Sequence, residues 1–271
     1  MTELSIIIVN FNTKNLVIDC IESIINSNSK IQHQIIVVDN GSSDGSVSAI
    51  RKLKVKTNNL ILIENKNNLG FAKANNQGIK KAAGKYILLL NSDTKVLKGT
   101  IDKLYDFAKI TPNVGVVGLN YLNPDGSNQG SCFRLPTLGR TISQYWFGKR
   151  GLLDKYSPPG ENPQEVEAIT MAGFLITPEC IKRVGLINEK YFMYFEDLDY
   201  CRAVRKSGLK VYFLPSAKII HYHGASGRKI KNSDYQWRRL IPSSKIYHGT
   251  LMHYLLNMII KTGQIVNRYE S

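Results

Sequence analysis

Short runs of β-branched and aliphatic residues alternate with segments that carry apolar residues at helical spacing over the first 118 positions of the chain. The runs lack polar alternation, which is typical of strands that are buried on both faces of a sheet. This alternation predicts βαβ units with right-handed crossovers, and therefore a parallel sheet flanked by helices. The predicted strands are 4–9, 34–38, 60–63, 86–90 and 114–117, and the predicted helices are 16–26, 44–53, 72–83 and 99–110.

The pattern loosens between residues 119 and 165, where turn-forming residues predict a segment that lies over one end of the sheet. Regular elements resume after it. We expect an extended apolar segment over 166–177, helices over 178–184 and 195–207, and late strands over 210–213 and 217–222.

The end of the chain, 241–266, is helical and amphipathic in pattern. Its apolar centre is too short to span a bilayer, which needs about 20 apolar residues. We therefore expect one α/β domain over 1–228, divided into 1–118 and 119–228, and a basic amphipathic helical tail over 229–271.

Charge separates the end of the chain from the rest. The net charge is +15, and from residue 201 onward 13 Lys and Arg stand against 2 Asp and Glu. Such a basic segment indicates an anionic partner. The partner would be the phosphates of a ligand, a membrane surface or a nucleic acid. No nucleic-acid-binding motif is recognised, so we expect no nucleic acid partner.

The compartment is suggested by the cysteines and by the first residues. The four cysteines are scattered without metal-site or disulfide spacing, which favours a reducing compartment. The first apolar run follows an acidic residue and is short, so it predicts a core strand rather than a signal peptide. We expect a cytoplasmic protein, on the inner face of the cell membrane if the tail binds lipid.

Three polar clusters follow predicted strands and are candidates for ligand binding, because ligands bind at the carboxyl ends of strands in open α/β sheets. Asp39 ends the second strand beside a Gly/Ser turn and suits a nucleobase or ribose; the alternative is a plain turn capped by Asp44. Gly70 allows a tight helix entry, with Lys73 one turn further on; the alternative is an Asn/Gly turn without function.

The third cluster ends at Asp93, directly after the apolar run 86–90. Hard cations such as Mg²⁺ or Mn²⁺ take one or two carboxylates together with substrate phosphates, so few protein ligands are needed. His221 or His223, at the end of the last predicted strand, would supply a second ligand. The alternative is that Asp93 is structural.

An acidic cluster opens the helix predicted over 195–207. Glu196, Asp197 and Asp199 lie within four residues, and their mutual repulsion raises the pKa of at least one of them. A carboxylate with a raised pKa suits a general base that deprotonates a hydroxyl nucleophile. The alternative is helix capping with an ion pair between Asp199 and Arg202.

These clusters, in this order, resemble the family 2 inverting glycosyltransferases, and in particular the bacterial rhamnosyltransferase-like branch that builds cell-surface polysaccharides. The resemblance extends from Ser5 to about Ser226. The matching stretches are Ser5-Ile-Ile-Ile-Val-Asn, Val38-Asp-Asn-Gly-Ser-Ser-Asp-Gly, Asn68-Leu-Gly-Phe-Ala, Asn91-Ser-Asp, Met171-Ala-Gly-Phe, Glu196-Asp-Leu-Asp and His221-Tyr-His-Gly-Ala-Ser.

The resemblance implies a GT-A fold, which is Rossmann-like with a mixed, mostly parallel central sheet flanked by helices. It also implies a nucleotide-binding half over 1–118, an acceptor and catalytic half over 119–228, and a divalent cation, Mg²⁺ or Mn²⁺. The donor would be a nucleotide sugar, with dTDP-rhamnose favoured and other dTDP-, UDP- and GDP-sugars open. The acceptor would be a saccharide or a lipid-linked saccharide.

The resemblance also assigns roles to residues. Asp197 would be the catalytic base, with Glu196 as its substitute, and Asp93 and His221 would bind the metal, with His223 as the alternative. The donor would be bound by Asn10, Asp39, Asn68, Gly70, Lys73, Asn91, Ser92, Gly173 and Arg202, and the acceptor by Arg134, Phe174 and Asp199.

Two questions stay open at the level of sequence. A nucleotidyltransferase would share the sheet and the metal site, but it should carry a triphosphate-binding loop after the first strand, where this chain has Asn10-Phe-Asn-Thr-Lys. The tail would contact either a membrane, as a peripheral anchor, or a second copy of the chain in a homodimer.

Overall fold

The computed structural model describes residues 2–222 and 233–269, and its centre is a ten-stranded sheet flanked by helices. The strands are β1 Leu4–Asn10, β2 His33–Asp39, β3 Leu60–Glu64, β4 Tyr86–Asn91, β5 Thr94–Val96, β6 Val114–Leu122, β7 Asn128–Gln129, β8 Cys132–Phe133, β9 Gln164–Glu165, β10 Ala168–Ile169, β11 Gly173–Ile176 and β12 Lys210–His221. The helices are α1 Lys14–Ile25, α2 Ser46–Lys56, α3 Phe71–Lys81, α4 Thr100–Ile110, α5 Leu138–Tyr145, α6 Pro178–Val184, α7 Glu196–Lys206, α8 Ser233–His248 and α9 Thr250–Tyr269.

The sheet combines a parallel block with an antiparallel insertion. Its order is β3-β2-β1-β4-β11-β6-β12-β5, with β7 beside β6 and β9 beside β12. The first four strands are parallel, β11 runs antiparallel between β4 and β6, and β6 and β12 are parallel. The two-stranded sheet of β8 and β10 lies apart. The predicted mixed α/β architecture is therefore confirmed.

Alternate residues of the central strands feed two separate hydrophobic cores, as the period of a strand requires. Ile6 and Ile8 of β1 pack with α1, α2 and α4, whereas Ile7 packs with α3, α6 and α7 on the opposite face. All three isoleucines are fully buried. Burial on both faces explains why β1 and β4 read as unbroken apolar runs.

Several predicted elements differ from the structure in their bounds. The two late strands form one strand, β12, whose pairing with β6 shifts register between Leu214 and Lys218. The extended segment 166–177 is interrupted between β10 and β11. The tail contains two helices rather than one, because Gly249 adopts a left-handed φ of +82° between α8 and α9.

The tail packs against the α/β domain through its second helix. Trp146, directly after α5, donates a hydrogen bond from Nε1 to the carbonyl of Ile259 at 3.1 Å. Gly263 lies against the backbone of Tyr145, where a Cβ would collide with the carbonyl oxygen. In the described part of the chain, no helix has the length and apolar character needed to cross a bilayer. The division into 1–228 and 229–271 stays a prediction.

The start of β4 is fixed against β1 by a close backbone approach at Gly84. A Cβ there would lie 2.5 Å from the carbonyl carbon of Leu4 and 2.6 Å from the nitrogen of Ser5. We expect Gly84→Ala to lower the free energy of unfolding by about 1–3 kcal/mol, because two backbones must separate. Denaturant unfolding measures the change.

Gly139→Ala is the matched control, since a Cβ at this position in α5 meets nothing within 4 Å. Its helix position favours alanine by up to about 1 kcal/mol. Equal destabilisation by the two substitutions would contradict the assignment of a backbone contact to Gly84.

Candidate functional site

A cleft of about 320 Å³ opens at the carboxyl ends of β1 and β4. Its walls come from the loops after these strands, from the segment before α7, from the end of β12 and from α8. The cleft brings together eight of the residues predicted for the site, namely Asn68, Gly70, Asn91, Ser92, Asp93, Glu196, Asp197 and His221.

Strand β5 brings Asp93 and His221 together although 128 positions separate them in the sequence. In the antiparallel pairing of β5 with β12, Thr94 is the partner of His221. The backbone N–H of Tyr222 donates to the carbonyl of Asp93 at 2.9 Å. Asp93 Oδ1 and His221 Nε2 consequently lie 3.5 Å apart, and both residues are buried.

Gln129 fixes the orientation of the His221 ring. Its Nε2 donates to the backbone carbonyl of His221 at 3.3 Å, so its Oε1 faces His221 Nδ1 at 2.6 Å and accepts the hydrogen there. In the tautomer with its hydrogen on Nδ1, the ring carries its lone pair on Nε2, on the side of Asp93. Gln129 thus acts as the outer partner that a metal-binding histidine usually has.

These donors fit a hard divalent cation that shares its coordination with a ligand. Among the described residues, no group of three or more His, Cys, Asp and Glu is arranged so that it could hold a metal ion. Asp93 and His221 offer two donors, and the buried Oδ1 of Asn91, on the same cleft, has no hydrogen-bond partner. Mg²⁺ and Mn²⁺ accept so few protein donors when phosphates complete the shell. His223 lies outside the described residues.

The first polar cluster holds the loop after β2 in place. The Asp39 carboxylate is buried and accepts hydrogen bonds from Asn10 Nδ2 at 2.7 Å and from the N–H of Ser42 at 2.9 Å. Asn40, which was not predicted, lines the cleft and binds Asn68 Oδ1 through its Nδ2 at 2.9 Å. Asn10 and Asp39 therefore lie behind the wall, and Asn40 faces the cleft.

Burial sets the protonation of the acidic pair at the start of α7. The pKa of Glu196 is raised chiefly by desolvation and further by the charge of Asp197. The pKa of Asp197 is raised by desolvation, and a hydrogen bond from the N–H of Leu198 and the charge of Lys155 offset part of that rise. Glu196 Oε2 is buried without a hydrogen-bond partner. Of the pair, Glu196 is the deeper one, whereas Asp197 is partly exposed at the cleft.

The backbone before this pair is strained. Tyr194 and Phe195 adopt φ values of +73° and +69°, which residues with a side chain rarely do. Phe195 is also the residue from which α7 begins, so its conformation aims Glu196 and Asp197. Strain of this kind persists only where the surroundings enforce it.

Two neighbours enforce it from opposite sides. From the nucleotide half, the N–H of Phe71 donates to the carbonyl of Phe192 at 2.7 Å, and a Cβ on Gly70 would overlap the same oxygen. From the tail, the buried Ser243 of α8 donates from Oγ to the carbonyl of Met193 at 2.8 Å. Arg239 of α8 lies over the Phe192 ring at 4.8 Å from its centre and lines the cleft.

Arg202 and Asp199, predicted for the donor and the acceptor, lie away from the cleft. Arg202 forms an ion pair with Asp199 at 2.5 Å and stacks on the ring of Tyr247 at 4.0 Å from its centre. Neither residue lines the cleft. They join α7 to α8, which is the ion-pair alternative derived from the sequence.

Four further predicted residues lie away from the cleft. Phe174 is fully buried in the core and cannot reach an acceptor. Gly173 is required by packing, because a Cβ would lie 2.6 Å from Leu119 Cδ1. Arg134 donates to the carbonyl of Gly151 at 2.8 Å, and Lys73 is exposed on α3.

Besides Asn40, the cleft contains Gln129, Lys155 and Arg239, which were not predicted from the sequence. Gln129 and Lys155 lie in the segment whose pattern is irregular, and Arg239 lies in the tail. No motif or spacing marks them. Only the excess of basic residues at the end of the chain pointed towards Arg239.

Comparison with known proteins places this geometry in a family. The model of the family described as glycosyl transferase family 2 matches residues 5–157, more than half of the chain. An N-acetylglucosaminyl-diphospho-decaprenol L-rhamnosyltransferase of Mycobacterium tuberculosis is 28% identical over 210 residues, covering 71% of this chain and 67% of the relative. The low-salt glycan biosynthesis hexosyltransferase Agl10 of Haloferax volcanii is 25% identical over 281 residues, covering 99% and 85%.

Solved structures with the same fold include GalNAc-T7 with UDP, GalNAc and Mn²⁺, at a TM-score of 0.63 and 16% identity. They also include the mannosyltransferase PcManGT of Pyrobaculum calidifontis with GDP-Man and Mn²⁺, at 0.62 and 16%. This chain is covered to 82% and 90%, and it spans 44% and 64% of those proteins. The predicted GT-A fold is confirmed, and the chain belongs to the family 2 glycosyltransferases.

Proposed function

We propose that this family 2 glycosyltransferase moves a sugar from a nucleoside diphosphate sugar to a hydroxyl of a saccharide or lipid-linked saccharide, with inversion at the transferred carbon. One observation carries the proposal. The Asp93–His221 pair, whose donors suit a phosphate-bound cation, and the buried Glu196–Asp197 pair line the same cleft.

The relatives support a choice of substrates. The mycobacterial relative is named for L-rhamnose transfer to a diphospho-decaprenol-linked sugar. We infer dTDP-rhamnose as the favoured donor and a polyprenyl-diphosphate-linked saccharide as the acceptor, in the synthesis of a cell-surface polysaccharide. The four buried, unpaired cysteines agree with a reducing, cytoplasmic compartment, where we place the enzyme.

The donor half of the cleft holds the nucleotide and its diphosphate. Asn40, Asn68 and Gly70 present amide groups and backbone at one end, and Asn91 and Ser92 lie beside Asp93. A divalent cation held by Asp93 and His221 would offset the negative charge of the departing diphosphate. Arg239 and Lys155, which also line the cleft, add positive charge to it.

The acidic pair provides the base. Burial raises the pKa of Glu196, so Glu196 holds a proton and Asp197 carries the charge at the cleft. Asp197 takes the proton of the acceptor hydroxyl while the oxygen of that hydroxyl forms a bond to C1 of the sugar. The bond from C1 to the diphosphate breaks on the opposite face, its electron pair leaves with the diphosphate, and a single displacement inverts C1.

Removal of the base tests this assignment. We expect Asp197→Asn to lower kcat by a factor of about 10²–10⁴, because the amide cannot accept the hydroxyl proton. The affinity for the donor nucleotide should stay close to that of the wild type. Nucleotide release and product formation measure kcat, and isothermal titration with dTDP or UDP measures the affinity for the donor nucleotide.

Asp199→Asn is the matched control, two residues further along α7. Its carboxylate pairs with Arg202 away from the cleft, so we expect kcat to change by less than about threefold. Loss of donor binding in Asp197→Asn would move Asp197 from the base to the donor site. Equal losses of kcat in both variants would contradict the division of roles.

Binding of the cation can be measured without turnover. We expect Mn²⁺ together with dTDP or UDP to raise the melting temperature of the wild type, and Asp93→Asn to lose that rise. Asp106→Asn, which removes an exposed carboxylate from α4, should keep it. An unchanged rise in Asp93→Asn would show that Asp93 does not hold the metal.

The raised pKa of Glu196 has a consequence for stability. The native protein keeps the proton of Glu196, whereas the unfolded chain releases it above about pH 4.3. The contribution of Glu196 to the free energy of unfolding is therefore complete below that pH and is lost as pH rises towards the native pKa. Glu196→Gln is neutral throughout. We expect it to lose less free energy of unfolding between about pH 5 and pH 8 than the wild type, by about 1 kcal/mol or more.

Denaturant unfolding at the two pH values provides the measurement. Glu161→Gln, an exposed glutamate in a loop, should follow the wild type. Parallel pH profiles for the wild type and Glu196→Gln would contradict a buried, protonated Glu196.

A further inference from the structure

Helix α9 is apolar on two opposite faces. The buried face carries His253, Leu256, Ile259 and Gly263 at helical spacing, and it packs against the domain. On the other face apolar side chains are exposed. They are Leu251, Tyr254, Met258 and Ile265, with exposed fractions from 55% to 86%. A helix with a single partner needs only one such face.

The end of α5 extends this exposed surface. Trp146 and Phe147 are 48% and 71% exposed, and the hydrogen bond from Trp146 to the carbonyl of Ile259 places Trp146 beside α9. These two residues and the four exposed residues of α9 are called the apolar stripe below. Scattered exposed apolar residues need no explanation, but a contiguous group marks a contact surface.

Cations surround the stripe. Lys149 and Arg150 are exposed and follow Phe147 after one glycine, and Lys261 is exposed on α9. Lys245 of α8 lies over the ring of Tyr254 at 4.8 Å from its centre. From residue 235 to residue 269 the sequence contains no Asp or Glu.

This charge distinguishes between the two occupants that would cover an apolar helix face. A second copy of the chain would bring the same cations to the contact, and like charges oppose association. An anionic bilayer brings phosphates, which attract Lys and Arg near its surface. Exposed Trp, Tyr and Phe beside Lys and Arg are also the residues that lie at the boundary of headgroups and acyl chains.

We propose that the apolar stripe is the surface through which this protein lies on an anionic membrane. The apolar side chains enter the boundary between headgroups and acyl chains, and the surrounding cations contact lipid phosphates. The inference deepens the proposed function, because a lipid-linked acceptor would be met at that surface. The surface itself can be tested without any transfer reaction.

The test is the partition of the full chain between buffer and vesicles. We expect binding to vesicles of phosphatidylcholine mixed with phosphatidylglycerol, and at least tenfold weaker binding to phosphatidylcholine alone. Added salt should weaken the binding, since it screens the contacts with phosphate. The triple variant Leu251→Ser, Met258→Ser, Ile265→Ser should bind the mixed vesicles at least tenfold less tightly.

A matched double variant, Val55→Ser with Ile110→Ser, removes apolar side chains that are 86% and 79% exposed elsewhere on the domain. It should bind vesicles like the wild type. The triple variant and this double variant must both melt within a few degrees of the wild type. A charge variant, Lys149→Gln with Arg150→Gln, supplies a second test that leaves the apolar stripe intact. This charge variant should bind the mixed vesicles more weakly than the wild type does, and its binding to phosphatidylcholine alone should be unchanged.

Two results would overturn the proposal. One is vesicle binding that is the same for the wild type, the triple variant and the charge variant. The other is absence of vesicle binding together with a dimer, seen by sedimentation velocity, that the triple variant abolishes; the apolar stripe would then be a contact between copies. Transfer to a water-soluble acceptor without vesicle binding would contradict the membrane surface and leave the proposed function intact. Vesicle binding without transfer would contradict only the proposed function.

Discussion

The pairing of three residues of β5 with the end of β12 is the contact on which the rest of the site depends. It makes Thr94 the partner of His221, and so sets the 3.5 Å separation between the Asp93 and His221 side chains. Backbone hydrogen bonds hold this pairing, so its geometry does not depend on the two functional side chains themselves. A site assembled in this way keeps its shape when the ligand leaves, which reduces the ordering cost of binding.

The acidic pair depends on a different constraint. Glu196 is buried and Asp197 is half-buried beside it, and two neighbouring charges in such surroundings cost several kcal/mol unless one of them stays protonated. The left-handed Tyr194 and Phe195 add a further cost of about 1–3 kcal/mol each. Contacts from Phe71 and from Ser243 to the carbonyls before this turn offset these costs. The nucleotide half and the tail therefore jointly determine where the carboxylates point.

Much of the fold follows from the pattern of residues alone. The strands of the parallel block, the three helices between them and α4 lie within three residues of their predicted bounds, because unbroken apolar runs and amphipathic spacing leave few alternatives. The predictions were weakest where local pattern does not decide the structure. Strand β5 has only three residues, and α5 follows a long irregular stretch, so neither was predicted. The break at Gly249 shows only as a single glycine in an otherwise helical sequence.

The motifs of the sequence mark several residues that line the cleft, whereas the cleft residues that only tertiary contacts bring there were not predicted. Asp93, Asp197 and His221 share one cleft, as expected for ligands that strand ends supply. Arg202 and Phe174 carry suitable chemistry near the right motifs, but their side chains join α7 to α8 and fill the core. Orientation of a side chain depends on what packs against it, and a single sequence does not contain that information.

The contacts of the tail connect the site with the surface of the protein. Helix α8 holds the strained turn through Ser243, stacks on Arg202 of α7 through Tyr247, and ends at Gly249. Helix α9 begins one residue later, and His253 Nδ1 lies 2.8 Å from Ser244 Oγ of α8. The residue next to Ser243, which binds the backbone before the left-handed turn, is thus the residue that contacts α9. The contacts of α8 therefore join the backbone before the acidic pair to the helix that carries the exposed apolar residues.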